Sequence, residues 1–436
     1  MPEKEKFFHS VYLDKDKCCG CITCIKTCPT QAIRVRNGKA HIIKEFCIDC
    51  GECIRHCPHY AKLASFDHME ALSRFKHTVV LPPPSLYGQF NHLDDINIIL
   101  TALTMIGFDD VFEVGAAAEL VSDETRKYLA ENPEPNIVIS TACPTVTRLI
   151  RIRFPELLDN LLPLKPPVEV AAELARARAA KKTGLKPEEI GIVFISPCPS
   201  KVTATQDPLG IKKSNIDVVL ATKEVYPLML SAMKEAQKNP MEYCLSGKIG
   251  VGWGVTGGEA AGVLLDNYIA ADGIENVVRV LEDLEDEKFQ MDIRFVELNS
   301  CPGGCVGGVL NVENPFAASS KLKHLKKYLP VALSHPEDYP ERKDVDLSLT
   351  EPIKYEPVYM LGKSMLESIN NMVKLEKLMR ILPGIDCGGC GAPTCKALAE
   401  DHIRGKGDIH SCTELLRRYY LYGEDAFEAL EGDNGL

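Results

Sequence analysis

Eight cysteines near the N-terminus recur in one spacing. Cys18-x2-Cys21-x2-Cys24-x3-Cys28 runs into Pro29, and Cys47-x2-Cys50-x2-Cys53-x3-Cys57 runs into Pro58. Two-residue gaps let one loop wrap three thiolates around an iron–sulfur cubane, and the turn before each proline aims the fourth thiolate at the other cluster. One [4Fe–4S] centre is therefore expected on Cys18, Cys21, Cys24 and Cys57, and a second on Cys47, Cys50, Cys53 and Cys28. Their work would be electron transfer. A pair of zinc knuckles is the competing reading, and the duplicated run ending in proline speaks against it. Cys19 fits neither set. Further along, three short loops carry Cys143 (in Ser140-Thr141-Ala142-Cys143-Pro144), Cys198 (in Ser196-Pro197-Cys198-Pro199-Ser200-Lys201), and the pair Cys301 and Cys305 with Gly303 and Gly304 between them. Four thiolates from three loops could hold one more centre, the glycines letting backbone approach the metal closely. Buried structural cysteines would leave the same spacing. At the other end, Cys387, Cys390 and Cys395 stand among glycines and are followed by Cys412 after sixteen residues. That wrap suits another cubane, and four cysteines also suit structural zinc. Lone Cys244 reads as a buried thiol.

The elements that would position these loops are legible as patterns. Asn136 to Ser140, Glu189 to Ile195 and Asp217 to Leu220 are short strand-like runs between helical patterns, which predicts an α/β architecture with mostly parallel sheets. Loops at the carboxyl ends of such strands converge on a ligand site. Apolar residues at helical spacing from about Tyr359 to Leu382 predict a helix that docks the last cysteine group, and a second helix from about Lys396 would space its fourth ligand. Cysteine clustering and chain length suggest three domains, at 1–75, 76–345 and 346–436. The second boundary is expected in the polar stretch His335 to Asp344. The net charge of −11 over 436 residues counts against nucleic acid or an anionic membrane as partner. No apolar run reaches transmembrane length, and Met1 to Ser10 lacks a secretory pattern. Without export, 18 cysteines read as metal ligands rather than disulfides, and a cytoplasmic metalloprotein is expected. Gly252-x-Gly254-x-x-Gly257 matches a dinucleotide fingerprint, but nothing else in the chain argues for a nucleotide.

The segment from Lys15 to about Ala64 resembles a bacterial two-cluster ferredoxin, and the last cysteine group resembles the small four-cysteine [4Fe–4S] domain of corrinoid iron–sulfur proteins and some electron-transport subunits. The three middle loops, in chain order, resemble the signature loops of the [FeFe]-hydrogenase large subunit. Pro83-Pro84-Ser85, Gly107 to Glu113, Phe154 to Leu158 and Gly252 to Gly258 agree with that family. The resemblance implies a ferredoxin-like N-terminal domain, an α/β hydrogenase domain and a small helical C-terminal iron–sulfur domain. It also implies an H-cluster: a [4Fe–4S] half on Cys143, Cys198, Cys301 and Cys305, bridged through Cys305 to a diiron subsite bearing CO, cyanide and an azadithiolate. Lys201 would donate to one cyanide, while Ser85 and the backbone near Pro84 would hold the other, and Trp253 falls where the family places an aromatic beside the cluster. The implied reaction is H2 ⇌ 2H⁺ + 2e⁻, with H2 and protons as substrates. A ferredoxin or another redox or signalling protein would be the partner, and a homodimer is allowed.

Several positions depart from that family. Catalytic members carry a proton-relaying cysteine where this chain has Ala142, and their acidic relay residues would fall near Thr125 and Tyr128. Asn299, Ser300 and Ser196 replace a Met, an Ala and a Met, which should alter hydrogen bonding around the bridge. Losing a relay that contributes ~10²–10⁴-fold predicts a slow enzyme. Slow turnover with intact ligands matches members regarded as sensory hydrogenases, although the PAS-type domain many of them carry is not seen here. Two competing expectations remain: a non-catalytic electron-transfer or cluster-scaffold protein, and a subunit of a flavin- or NAD-linked multimeric hydrogenase.

Overall fold

A computed structural model describes residues 8–134, 136–289, 291–340 and 345–422; the end of the expected linker, 341–344, lies outside them. Its strands, in chain order, are β1 (Val11–Leu13), β2 (Ile33–Arg36), β3 (Lys39–Ile42), β4 (Lys62–Ala64), β5 (His77–Leu81), β6 (Asp110–Val111), β7 (Val138–Ile139), β8 (Ile190–Ser196), β9 (Val218–Ala221), β10 (Tyr268–Asp272) and β11 (Phe295–Asn299). The chain divides into two compact units. One comprises Met1–Ser10, Ile48–Gly51 and Ala64–Tyr355, and the other comprises Val11–Cys47, Glu52–Leu63 and Glu356–Leu436.

The first unit is built on two parallel sheets, in the orders β6-β5-β8-β9 and β10-β11-β7. Every residue of β8, an Ile-Gly-Ile-Val-Phe-Ile-Ser run, is buried, as expected of a parallel strand covered on both faces. In register, Val80 lies beside Val193, and Val193 beside Val218. These valines join Leu86, Ile99, Leu103, Ile195 and Leu220 in one hydrophobic core. Each such side chain contributes about 1.5–3 kcal/mol on burial. In the other sheet Phe295 pairs with Val138 on one side and Tyr268 on the other. The strand ends differ from the sequence reading by one or two residues, and the parallel α/β class is the one expected.

The second unit is local in character. Its hairpin β2–β3 is antiparallel and closes through Asn37-Gly38, with φ of 51° and 68°, the left-handed pair that suits the strands' twist. The helix expected over 359–382 is Met365–Ile381, begun by Ser364, whose Oγ accepts from Glu367 N at 3.2 Å. Leu378 and Leu382 pack with Ala392, Cys395, Leu398, Ala399, Cys412 and Leu415. Among the described residues no helix is long and apolar enough to cross a membrane.

Candidate metal centre

Four of the first unit's strands deliver the site, each at its carboxyl end. Strand β7 leads into Cys143, and β8 into Cys198. Each of these cysteines is the N-cap of a helix opened by proline, Pro144–Arg153 and Pro199–Gln206. Proline is preorganised for a first helical turn, and each cysteine stands at the positive end of its helix dipole. Strand β11 leads into Cys301, and β5 leads into Pro84 and Ser85. The third loop turns back on itself through Gly304, whose φ is 91°. A Cβ there would stand 2.6 Å from Thr256 N, so only glycine lets the loop present Cys305 at this point. Asn311 Nδ2 fixes the turn by donating to Cys305 O at 3.0 Å.

The four thiols face one charged side chain. Lys201, one turn into the helix after Cys198, puts Nζ 3.8 Å from Cys305 Sγ. Burial alone would pull its ammonium's pKa down, but Cys305, Cys198, Cys143 and Cys301 reverse this and hold it up. Burial pushes the Cys198 thiol up to about 11, opposed by Lys201, and raises Cys305 in the same way. Ser300 sits between two of the sulfurs, its Oγ 3.9 Å from Cys143 Sγ and 3.8 Å from Cys301 Sγ. A cavity opens beside Cys305, with about 630 Å³ of free space including its mouth. Pro84, Ser85, Ala142, Lys201, Trp253 and Asn299 line it. Ser85 Oγ is buried there with no hydrogen-bond partner among the described residues. Such an orphan costs ~1–3 kcal/mol, so a cation, a free hydroxyl and a thiol around one cavity fit an anionic, hydrogen-bond-accepting group attached to sulfur-bound metal. Trp253 is fixed by its Nε1 donating to Ser122 Oγ at 3.0 Å. Ser196 is held apart from the cavity wall: its Oγ donates to Cys198 O at 2.9 Å and holds the second loop.

Two carboxylates that the sequence reading missed line the same cavity, Glu259 and Glu297. Ser140 Oγ lies 2.7 Å from both carboxylate oxygens of Glu259. Glu297 Oε1 accepts from Gly257 N at 2.9 Å and from Asn299 Nδ2 at 2.8 Å, and its Oε2 accepts from Ala260 N at 2.8 Å. Burial and the neighbouring Glu297 push Glu259 up to about 8, against Ser140 and Lys201, and burial raises Glu297 as well. Burial and the neighbouring carboxyl thus bias Glu259 toward its protonated form. The available signal was Glu297 itself, an acid inside the otherwise apolar strand run Phe295–Leu298. Thr125, at one expected relay position, donates to Val121 O at 2.8 Å within its own helix.

The outer cysteines lie mostly in the second unit. Cys18, Cys21, Cys24 and Cys57 face one another there. Burial pushes Cys24 up to about 11, with Lys62 opposing and the other three thiols adding to the rise. Cys28, Cys47 and Cys53 belong to the same unit, whereas Cys50 falls in the Ile48–Gly51 segment of the first. At the C-terminal end Cys395 and Cys412 are buried, with Cys390 packed against them. Burial raises Cys390, helped by Cys412 and Cys387. Arg36 Nη1 donates to Cys390 O at 3.0 Å, and Arg34 clamps Asp401 of the adjoining helix with contacts of 2.6 and 3.1 Å.

This architecture defines an iron–sulfur protein of the iron-only hydrogenase class. The family model for the iron-only hydrogenase large subunit, C-terminal domain, matches residues 76–267 and 255–309, and the chain belongs to that family. A 4Fe-4S dicluster domain matches residues 10–58, and an Fe-S cluster domain matches 382–414. Among curated relatives, Iron hydrogenase 1 of Clostridium pasteurianum is 25% identical over 371 residues, which is 69% of this chain and 64% of that protein. The Periplasmic [Fe] hydrogenase large subunit of Nitratidesulfovibrio vulgaris is 26% identical over 361 residues, 69% of this chain and 86% of that one. A solved [FeFe]-hydrogenase from Chlamydomonas reinhardtii aligns with a TM-score of 0.47 at 18% identity, covering 66% of this chain and 95% of that one.

Proposed function

We propose that this chain activates dihydrogen reversibly and slowly, and that it acts as a hydrogen or redox sensor in the cytoplasm. In this reading Cys143, Cys198, Cys301 and Cys305 would hold a cubane, Cys305 would also hold a diiron subsite with CO, cyanide and azadithiolate ligands, and three outer cubanes would pass electrons to a ferredoxin or another redox or signalling protein. When bound, that centre would supply the interconversion of dihydrogen with two protons and two electrons. The chain's own residues supply the rest. Lys201 and Ser85 would orient the cyanides as donors, Pro84 and Trp253 line the cavity, and Asn299 holds Glu297 in its wall by donating to Oε1. Ala142 carries no exchangeable proton, so a proton must be held elsewhere on the wall. Glu259, biased toward its protonated form beside Glu297, is the group suited to hold it.

The observation that carries this reading is the buried Lys201 ammonium, 3.8 Å from Cys305 Sγ, sharing one cavity with the unpartnered Ser85 hydroxyl. A cluster scaffold needs neither. The test is to load the apo-protein with a synthetic two-iron precursor and to record infrared spectra in the CO and CN stretching region, with and without H2. Bands that appear on loading and change under H2 are expected. No bands after loading would sink the hydrogenase reading and leave the scaffold.

A further inference from the structure

The two halves of the N-terminal repeat share their local geometry up to a single position. After Cys28, Gln31 N donates to Cys28 O at 3.1 Å, and after Cys57, Tyr60 N donates to Cys57 O at 3.2 Å. Gln31 and Tyr60 both take the left-handed conformation, with φ of 53° and 50°. The next residue is alanine in each half, and its amide donates to the preceding cysteine sulfur: Ala32 N to Cys28 Sγ at 3.2 Å, and Ala61 N to Cys57 Sγ at 3.3 Å. Then the halves part. The first has Ile33 and the second Lys62, each 2% exposed.

Ile33 is an ordinary core residue, packed with Val11, Ile25 and Ala40. Lys62 is a charged side chain in the same kind of place, and its Nζ has no hydrogen-bond partner among the described residues. A buried cation is tolerated only where an opposite charge answers it. The groups within its electrostatic reach include the thiols of Cys24 and Cys57, two of the four sulfurs gathered there. A four-thiolate cubane carries net negative charge that grows when it takes up an electron, and nearby charge is among the factors that set its potential.

We propose that Lys62 separates the two repeat centres in potential, making the cubane on Cys18, Cys21, Cys24 and Cys57 the easier to reduce and thus the place where an electron rests. Ile33 offers its centre no such charge. The electron stored beside Lys62 would be the lasting record of a reduction event, whichever reaction delivered it. The assignment rests on the cubane reading of the repeat and is independent of what occurs at Cys305.

The test replaces Lys62 by the residue that its own repeat tolerates, Lys62→Ile, and by the equally long Lys62→Met. Potentiometric titration of the full chain, purified without oxygen and followed by electron paramagnetic resonance, should show one cubane component losing at least tenfold in its reduction equilibrium, 59 mV for a one-electron couple. The remaining components should stay in place. The converse change, Ile33→Lys, should ease reduction of a different component. All components remaining within twofold of the parent protein, with iron content intact, would overturn the proposal. So would loss of iron from both Lys62 variants, which would make Lys62 a structural residue. A parent protein with no cubane signal would instead remove the cubane reading itself.

Discussion

At the scale of single residues, the site is distinguished by what surrounds its sulfurs. On the proposed function Ala142 stands where a proton-relaying cysteine is expected, so Ala142→Cys should raise hydrogen turnover, by roughly tenfold or more given the ~10²–10⁴-fold range of such relays. An unchanged rate in loaded protein would place the limit elsewhere. Glu297→Gln should slow turnover further, because the wall then loses a titrating group that Asn299 connects to the cavity. Glu259 gives a prediction free of the metal. Its carboxyl titrates near 4.5 in an unfolded chain and about 8 when folded, so between these values the folded state binds more protons than the unfolded state. Stability from this group is full below about 4.5 and is lost as the pH rises through 8. Denaturant melts of the apo-protein should therefore show the parent weakening across that window relative to Glu259→Gln. Parallel pH profiles would contradict the assignment of the proton to Glu259.

At the scale of elements, chain turns decide where the chemistry stands. Gly304→Ala would place a methyl 2.6 Å from Thr256 N at a φ of 91°, a strain of about 1–3 kcal/mol before any clash is relieved. Thermal melts should fall accordingly, and iron bound at the middle loops should drop. In the other unit, Leu378→Ala removes a fully buried contact of the helix that backs the last cysteines. It should cost about 2–5 kcal/mol and release the C-terminal cluster, seen as loss of one cubane spectrum. Much of this was legible beforehand. The strand-loop pairs ending in Cys143 and Cys198, and the helix behind Cys395, follow from apolar period, proline and cysteine spacing. The carboxylates Glu259 and Glu297 were not, because they stand 38 positions apart in the sequence and acquire meaning only when a strand and a short helix bring them to one wall. Ser196 was expected to influence the bridge; the structure turns its hydroxyl onto Cys198 O, because a serine ending a buried strand satisfies its nearest backbone group first.

At the scale of the whole molecule, the cysteine groups differ in how far along the chain their members lie. The terminal groups are nearly contiguous in sequence, whereas Cys143 and Cys305 come from loops over 160 residues apart that are mounted on the ends of β7 and β11. Complete loading of four cubanes and two further irons should give about 18 irons per chain by elemental analysis; a zinc site at the tail would lower that figure by about four and return one zinc. The mounting of Cys143 on one sheet and Cys198 on the other has a temporal consequence. The two sulfurs come together only once both sheets have formed, which requires contacts distant in sequence and therefore slow to form. The N-terminal group, complete by Cys57, could therefore load on a partly synthesised polypeptide, whereas a centre on the middle loops would have to wait until Cys305 has been made and folded into place.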